Sequence, residues 1–296
     1  MRSTFAMIKL TGSMLIFGSI GLLVRFIPLP SSVIAFVRAS IGVLFLLLVL
    51  ITKRTKLSRQ AIKSNAIYLL LSGAAIGFNW ILLFESYRFT SVAVSTLCYY
   101  MAPIIVIILS PWILKERLTA KRFICVMVAL GGMIFVSGIF KINTIQKTTL
   151  TGVGLGLAAA MLYASAILLN KKMHGIHALD RTVCQLLVAA IVLFPYNLTT
   201  VDIDSLTITP LTFGLLAVIG IVHTGLAYYL YFGSMEHLSG QSVAFASYID
   251  PVVAVILSVV ILRETFDIYT AMGAVAILAA AWISELPAAG GAKYDN

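Results

Sequence analysis

The sequence predicts an all-α integral membrane protein of ten transmembrane helices, built as two inverted five-helix repeats with the N- and C-termini cytoplasmic. Three observations carry this. The 296 residues are 60% hydrophobic and 11% charged, whereas about a quarter of residues are charged in soluble domains. The apolar residues gather into runs near the length of about 20 residues that a spanning helix needs. A stretch beginning at Phe84 also returns 148 residues later, at Phe232, without a gap.

The runs cover residues 5–25, 33–52, 66–85, 92–114, 121–140, 151–170, 182–198, 211–233, 241–262 and 268–286. They are apolar on every side, unlike the short alternating strands of a barrel. Helices are then the spanning structure that satisfies every backbone polar group inside lipid. The first run is long and shows no small-residue cleavage site before Arg25 and Pro28, so it reads as a span and not as a secretion signal. Cys98, Cys125 and Cys184 all fall inside runs, with neither disulfide nor metal-ligand spacing. They read as packing residues, and no cofactor or metal is expected.

The offset that joins Phe84 to Phe232 also pairs Ser86 with Ser234, Tyr100 with Tyr248, Pro103 with Pro251 and Glu116 with Glu264. Gly77 with Gly225 and Lys115 with Arg263 keep the same register. Duplication and divergence explain such a pattern and divide the chain into residues 1–146 and 147–296. Cytoplasmic loops carry the excess of Lys and Arg. An inside N-terminus places fifteen of the 21 basic residues on that side and five outside (Arg25, Arg88, Lys141, Lys147, Arg263), with Arg38 inside the second span. The net charge of +10 is therefore topological. Its residues are dispersed over short loops with no recognition motif, so no nucleic-acid partner is expected. Each half holds five spans, an odd number, and the second copy must enter the bilayer from the opposite face. Inverted repeats of this kind characterise secondary transporters, whose substrates bind near the midplane between the halves.

The fourth span of each half, together with the helix after it, reads APIIVIILSPWILKERLTAKRFICVMVALGGMIFVSG in the first copy and DPVVAVILSVVILRETFDIYTAMGAVAILAAAW in the second. With the five-plus-five duplication, these segments resemble the drug/metabolite transporter superfamily and, within it, the ten-span EamA-type exporters. The resemblance covers essentially the whole chain. It implies export of a small molecule through a central cavity lined mainly by spans 1, 3, 4, 6, 8 and 9, with spans 5 and 10 peripheral. The second copy departs from the pattern at Thr265, Phe266 and Asp267, where the usual Leu-Thr step is missing.

Candidate functional residues emerge from the cost of polar groups in lipid. A charge at the bilayer centre costs at least about 2.5 kcal/mol, which singles out Asp250, directly before Pro251. It is a candidate for binding a cationic group or exchanging a proton, or else a structural partner of Arg38. Arg38 is a candidate for coupling or gating, unless it snorkels outward. Pro103 and Pro251 remove a backbone hydrogen bond near the middle of spans four and nine; they shape the bundle or take part in gating. Asn79, Trp80 and His223 share one repeat frame and are candidate cavity residues, His223 because imidazole binds polar groups and titrates near neutrality. Tyr99, Tyr100, Tyr163, Tyr228 and Tyr248 sit where the family likeness puts the cavity, and their rings suit aromatic or cationic ligands. The alternative for each is interhelix packing.

Glu85 and Arg88 lie just after span three and form a surface pair or part of an outer gate. Glu116 and Glu264 read as structural, each complementing the N-terminus of the next helix. Gly131, Gly132, Gly138, Gly273, Ala276 and Ala280 read as close helix contacts, within the chain or in a homodimer. There is no HExxH pair, GxSxG elbow, P-loop or strand-borne GxGxxG, so a membrane enzyme is the weaker reading, as is an uncoupled channel. The expectation is a carrier in a bacterial-type plasma membrane. It moves a small polar or amphipathic metabolite, an amino acid or a relative, by alternating access with possible proton coupling, as a monomer or a homodimer.

Overall fold

A computed structural model of the chain describes residues 2–115, 118–137, 147–235, 238 and 240–286. All regular structure among them is helical. In chain order the helices are α1 (Arg2–Gly18), α2 (Ile20–Arg25), α3 (Ser31–Thr52), α4 (Arg59–Ser64), α5 (Ala66–Phe89), α6 (Val92–Tyr99), α7 (Ala102–Ile113) and α8 (Ala120–Val136). They continue with α9 (Lys147–Lys171), α10 (Ala178–Thr200), α11 (Pro210–Gly220), α12 (Ala227–Met235), α13 (Gly240–Ser247), α14 (Ile249–Val260) and α15 (Ile268–Glu285). A π-helical turn, Ile221–Leu226, joins α11 to α12.

Seven stretches are long and apolar enough to cross a bilayer: Thr4–Arg25, Ser31–Thr52, Ala66–Phe89, Val92–Ile113, Lys147–Lys171, Ala178–Thr200 and Pro210–Ser234. Shorter apolar helices cover Ile249–Val260 and Ile268–Ser284. Where the sequence predicts one helix over 92–114, the chain breaks at Tyr100 and Met101; where it predicts one over 241–262, the break falls at Tyr248. Proline explains the position of both. A first turn needs no intrahelical N–H, so Pro103 and Pro251 start α7 and α14 instead of bending a continuous helix. The helix ends keep the register of the sequence repeat, since α6 and α13 begin and end 148 residues apart. The paired residues Lys115 and Arg263 both adopt left-handed backbone, with φ of 58° and 56°.

Side chains cap the helices in the expected way. Ser91 accepts from Val94 N at 3.1 Å, Thr209 from Thr212 N at 3.1 Å, and Asp267 from Thr270 N at 2.8 Å. Asp267 thus fills the place of the missing Leu-Thr step. Glu264 does not cap the next helix. Its Oε2 accepts from Val92 N at 2.8 Å, at the start of α6, and from Ser258 Oγ, while Oε1 lies 4.0 Å from Arg25 Nε. The carboxylate therefore ties the end of α14 to the first half of the chain. Glu116 and Gly138 lie outside the described residues.

Neither half owns a core. One buried cluster joins residues of α2, α3 and α5 to α10 and α11; another joins α6, α7 and α8 to α9 and α15. α5 packs most extensively on α9, and α8 on α15. A Cβ on Gly132 would meet Gly273 O at 2.9 Å and the Ala276 side chain at 2.8 Å, whereas one on Gly131 would meet nothing within 4 Å. The α8–α15 seam therefore uses Gly132 and Gly273 inside the chain, not Gly131. Cys98 and Cys125 are buried, Cys184 is partly buried, and all three are free thiols.

The loops before α5 and after α9 are clasped by Asn65, which is buried. Its Nδ2 donates to Ala61 O at 2.8 Å and His174 O at 2.9 Å, and its Oδ1 accepts from His174 N at 3.2 Å. Asn65→Ala leaves the two His174 groups without these partners, at a cost of about 1 to 3 kcal/mol. The expected outcome is a lower thermal midpoint for the detergent-solubilised variant. An unchanged midpoint would mean that water replaces the clasp at no cost.

Candidate functional site

Between the two core clusters lies a cavity of about 340 Å³ whose wall is drawn from α1, α2, α3, α5, α6, α7, α9, α12, α13 and α14. Helices from both sides of the 138–146 link therefore meet there. The structure brings to this wall Arg38, Asn79, Trp80, Tyr99, Tyr100, Pro103, Tyr163, Tyr228 and Asp250. The contribution of Arg38 from the second span adds to the lining that the family resemblance implies.

Arg38 is 6% exposed. Its Nε donates to Thr224 Oγ1 at 2.9 Å, and the guanidinium lies over the Trp80 ring at 4.0 Å and near Phe84 at 5.8 Å. Burial under aromatic rings removes the snorkelling alternative. Asp250, in the first turn of α14, is only partly exposed and faces the same cavity. Tyr100 stands beside it, its hydroxyl donating to Ser247 O at 3.1 Å. Among the described residues the ion pairs are Arg25 with Glu264 and Arg88 with Glu85. Arg38 and Asp250 are therefore not a structural pair: two opposite charges share one cavity without closing on each other.

Aromatic rings supply the rest of the wall. Tyr99 stacks on Tyr163 with centroids 5.1 Å apart and planes at 19°. Phe17 of α1 meets Tyr228 of α12 at 5.3 Å. Asn79 is spent on the scaffold: Nδ2 donates to Ala159 O at 2.6 Å, and Oδ1 accepts from the Tyr99 hydroxyl at 3.4 Å. It holds α5 to α9 and orients Tyr99.

The structure places His223, Tyr248, Pro251 and Glu85 off this wall. His223 is buried in the π-helical turn, with Nε2 3.0 Å from Ser19 Oγ, where a break separates α1 from α2. Its Nδ1 lies 3.4 Å from Val218 O, so the imidazole links the π turn to Ser19, whose hydroxyl also reaches Ile16 O at 2.8 Å. The π turn rotates His223 toward the break in span one and away from the cavity. Tyr248 packs its ring 6.5 Å from Tyr100, Pro251 is buried in α14, and Glu85 accepts from Ser31 Oγ at 2.6 Å.

Tyr231, a member of the span-eight tyrosine cluster, also lines the cavity, as do Leu83, Thr96 and Ser247, which the sequence did not single out. A signal for Leu83 and Ser247 was present. The 148-residue offset pairs Trp80 with Tyr228, Leu83 with Tyr231, Tyr99 with Ser247 and Ala102 with Asp250, and all eight are on the wall. Partners of a lining residue are thus lining residues themselves in these four pairs. Chemistry differs within each pair, and that difference hid them.

The EamA-like transporter family matches residues 4–138 and again residues 150–285. A Bacillus subtilis (strain 168) protein named "Uncharacterized transporter YxxF" is 30% identical over 281 residues, covering 94% of this chain and 88% of its own length. "Protein PecM" of Dickeya dadantii (strain 3937) is 29% identical over 218 residues, 71% of this chain and 70% of that one. A solved crystal structure superposes with a TM-score of 0.65 at 14% identity, over 95% of this chain and 96% of that one, a likeness of fold. With apolar helices of spanning length and a polar cavity where the two matched regions meet, the chain is a multi-pass membrane protein and belongs to the EamA-like transporter family of the drug/metabolite transporter superfamily.

Proposed function

We propose that this chain is a secondary carrier that exports small zwitterionic metabolites, amino acids or close relatives, across a bacterial-type plasma membrane by alternating access. The observation that carries the reading is the shared cavity in which Arg38 and Asp250 make no ion pair among the described residues, between aromatic walls. A buried charge without a counter-charge is costly. A ligand bearing both a carboxylate and an ammonium supplies each group with an ion-pair partner at once.

Two five-span repeats of opposite orientation, residues 1–146 and 147–296, fit the double family match and the recurrence of helix ends at one offset. Cytoplasmic termini fit the distribution of Lys and Arg. The breaks at Tyr100 and Tyr248 fit a carrier, because discontinuous helices at the cavity supply the places where segments rearrange. Asp250 is the group we assign to proton exchange, and Pro103 marks the break between α6 and α7, which we assign to gating. One chain contains both halves of the pathway, so a monomer suffices.

The test is uptake of a labelled amino-acid panel into liposomes carrying the purified protein, with and without a proton gradient. Saturable flux of particular amino acids is the expected result. Flux that rises linearly with concentration would replace the carrier with a channel, and saturable flux of other metabolites alone would remove the amino-acid assignment.

A further inference from the structure

The π-helical turn Ile221–Leu226 packs against α3 and anchors the cation of the cavity wall, Arg38. A π turn widens the helix by a residue, and its hydrogen bonds run to the fifth residue back. Thr224 shows the consequence: its hydroxyl donates to Ile219 O at 3.1 Å, five residues earlier, and turns its oxygen lone pairs toward α3. There it accepts from Arg38 Nε. Gly42, one turn after Arg38 on α3, lets the two helices approach, since a Cβ there would collide with the Thr224 methyl. The guanidinium is thus anchored by Nε from one side and by the Trp80 face from another.

The rest of the guanidinium is uncommitted. Among the described residues Arg38 makes no ion pair and no hydrogen bond except through Nε, and it is 6% exposed. Arg38 is on the cavity wall, and among the described residues no hydrogen bond from its two terminal guanidinium nitrogens accompanies the one from Nε. A guanidinium in this state presents two parallel donors, a geometry that matches a carboxylate in bidentate fashion. Nε is already occupied, so the end-on face formed by the two terminal nitrogens is the one on offer.

We propose that Arg38, set by Thr224 in the π turn and seated on Trp80, is a carboxylate subsite that fixes the anionic end of the transported compound. Thr224 is a positioning residue and touches no substrate. The inference rests on the carrier reading for its substrate, and it assigns the orientation: carboxylate toward α3, ammonium toward Asp250 on α14.

Binding to the purified full-length chain in detergent tests this independently of transport, by calorimetry with L-phenylalanine and L-phenylalaninamide as probes. At a pH below the α-amino pKa of both, the two share the ring and the ammonium and differ in the carboxylate alone. L-Phenylalanine is expected to bind about tenfold or more tightly than the amide, the effect of one charge-assisted bidentate contact. Thr224→Val is expected to remove most of that preference, and Thr224→Ser, which returns the hydroxyl, to recover it. Arg38→Lys keeps the charge but not the fork, and is expected to lose the preference even if Thr224→Val does not fold. Equal affinity for the two probes, or failure of both to bind, overturns the subsite. So does a preference that survives Arg38→Lys. Absence of liposome flux with this preference intact would instead sink the carrier reading and leave the subsite standing.

Discussion

Asp250→Asn is expected to lower saturable flux in proteoliposomes by about 10- to 100-fold at equal protein density, with the monodisperse elution of the parent retained. The carboxylate has no ion-pair partner among the described residues, so no fold-holding bridge is lost. What is removed is the negative charge in the first turn of α14 that faces the cavity beside Tyr100. A hydrogen bond to a charged group contributes about 1.5 to 3 kcal/mol, and each 1.4 kcal/mol is about a factor of ten. The neutral side chain is close to isosteric, so a packing defect cannot produce that loss. Flux equal to the parent's in a well-expressed variant would remove Asp250 from the mechanism. Loss of proton dependence with flux retained would keep it as the coupling group and take it out of substrate binding.

The largest effect on folding is expected from Gly273→Val. A Cβ at Gly273 meets backbone, the Gly132 carbonyl, and lies 3.0 Å from Val136 N, and backbone inside a helix pair has no rotamer through which to yield. Small residues at such crossings let membrane helices approach closely enough for dispersion to hold them. Overpacking of this kind costs about 1 to 3 kcal/mol or more, and α8 and α15 must part to relieve it. Gly131→Ala, one residue from the seam, is the matched control: its added methyl meets nothing within 4 Å. The expected outcome is a strong loss of folded, detergent-stable protein for Gly273→Val and a melting midpoint near the parent's for Gly131→Ala. Equal midpoints would mean that the seam is not a close contact in the membrane.

The helices were legible because a spanning segment is specified locally. Length and hydropathy are properties of the segment itself. The breaks at Tyr100 and Tyr248 were half legible. Proline marks the neighbourhood, but the choice between bending a helix and starting a new one depends on whether the preceding carbonyls find other partners. Arg38, Trp80 and Asp250 stood out because charge and size are rare at that depth. His223 stood out for the same reason and lies off the wall, inside the π turn and against Ser19.

The amino-acid order alone therefore determined the all-helical membrane class of the protein and the internal offset of its sequence, because hydropathy and backbone satisfaction in lipid are properties of each segment separately. Which polar groups meet was decided by the tertiary structure. Arg38 and Thr224 are 186 residues apart, and the closing of their hydrogen bond, the stacking on Trp80 and the separation of Arg38 from Asp250 all depend on how rigid helices rotate and cross, a long-range outcome of packing that no local pattern encodes.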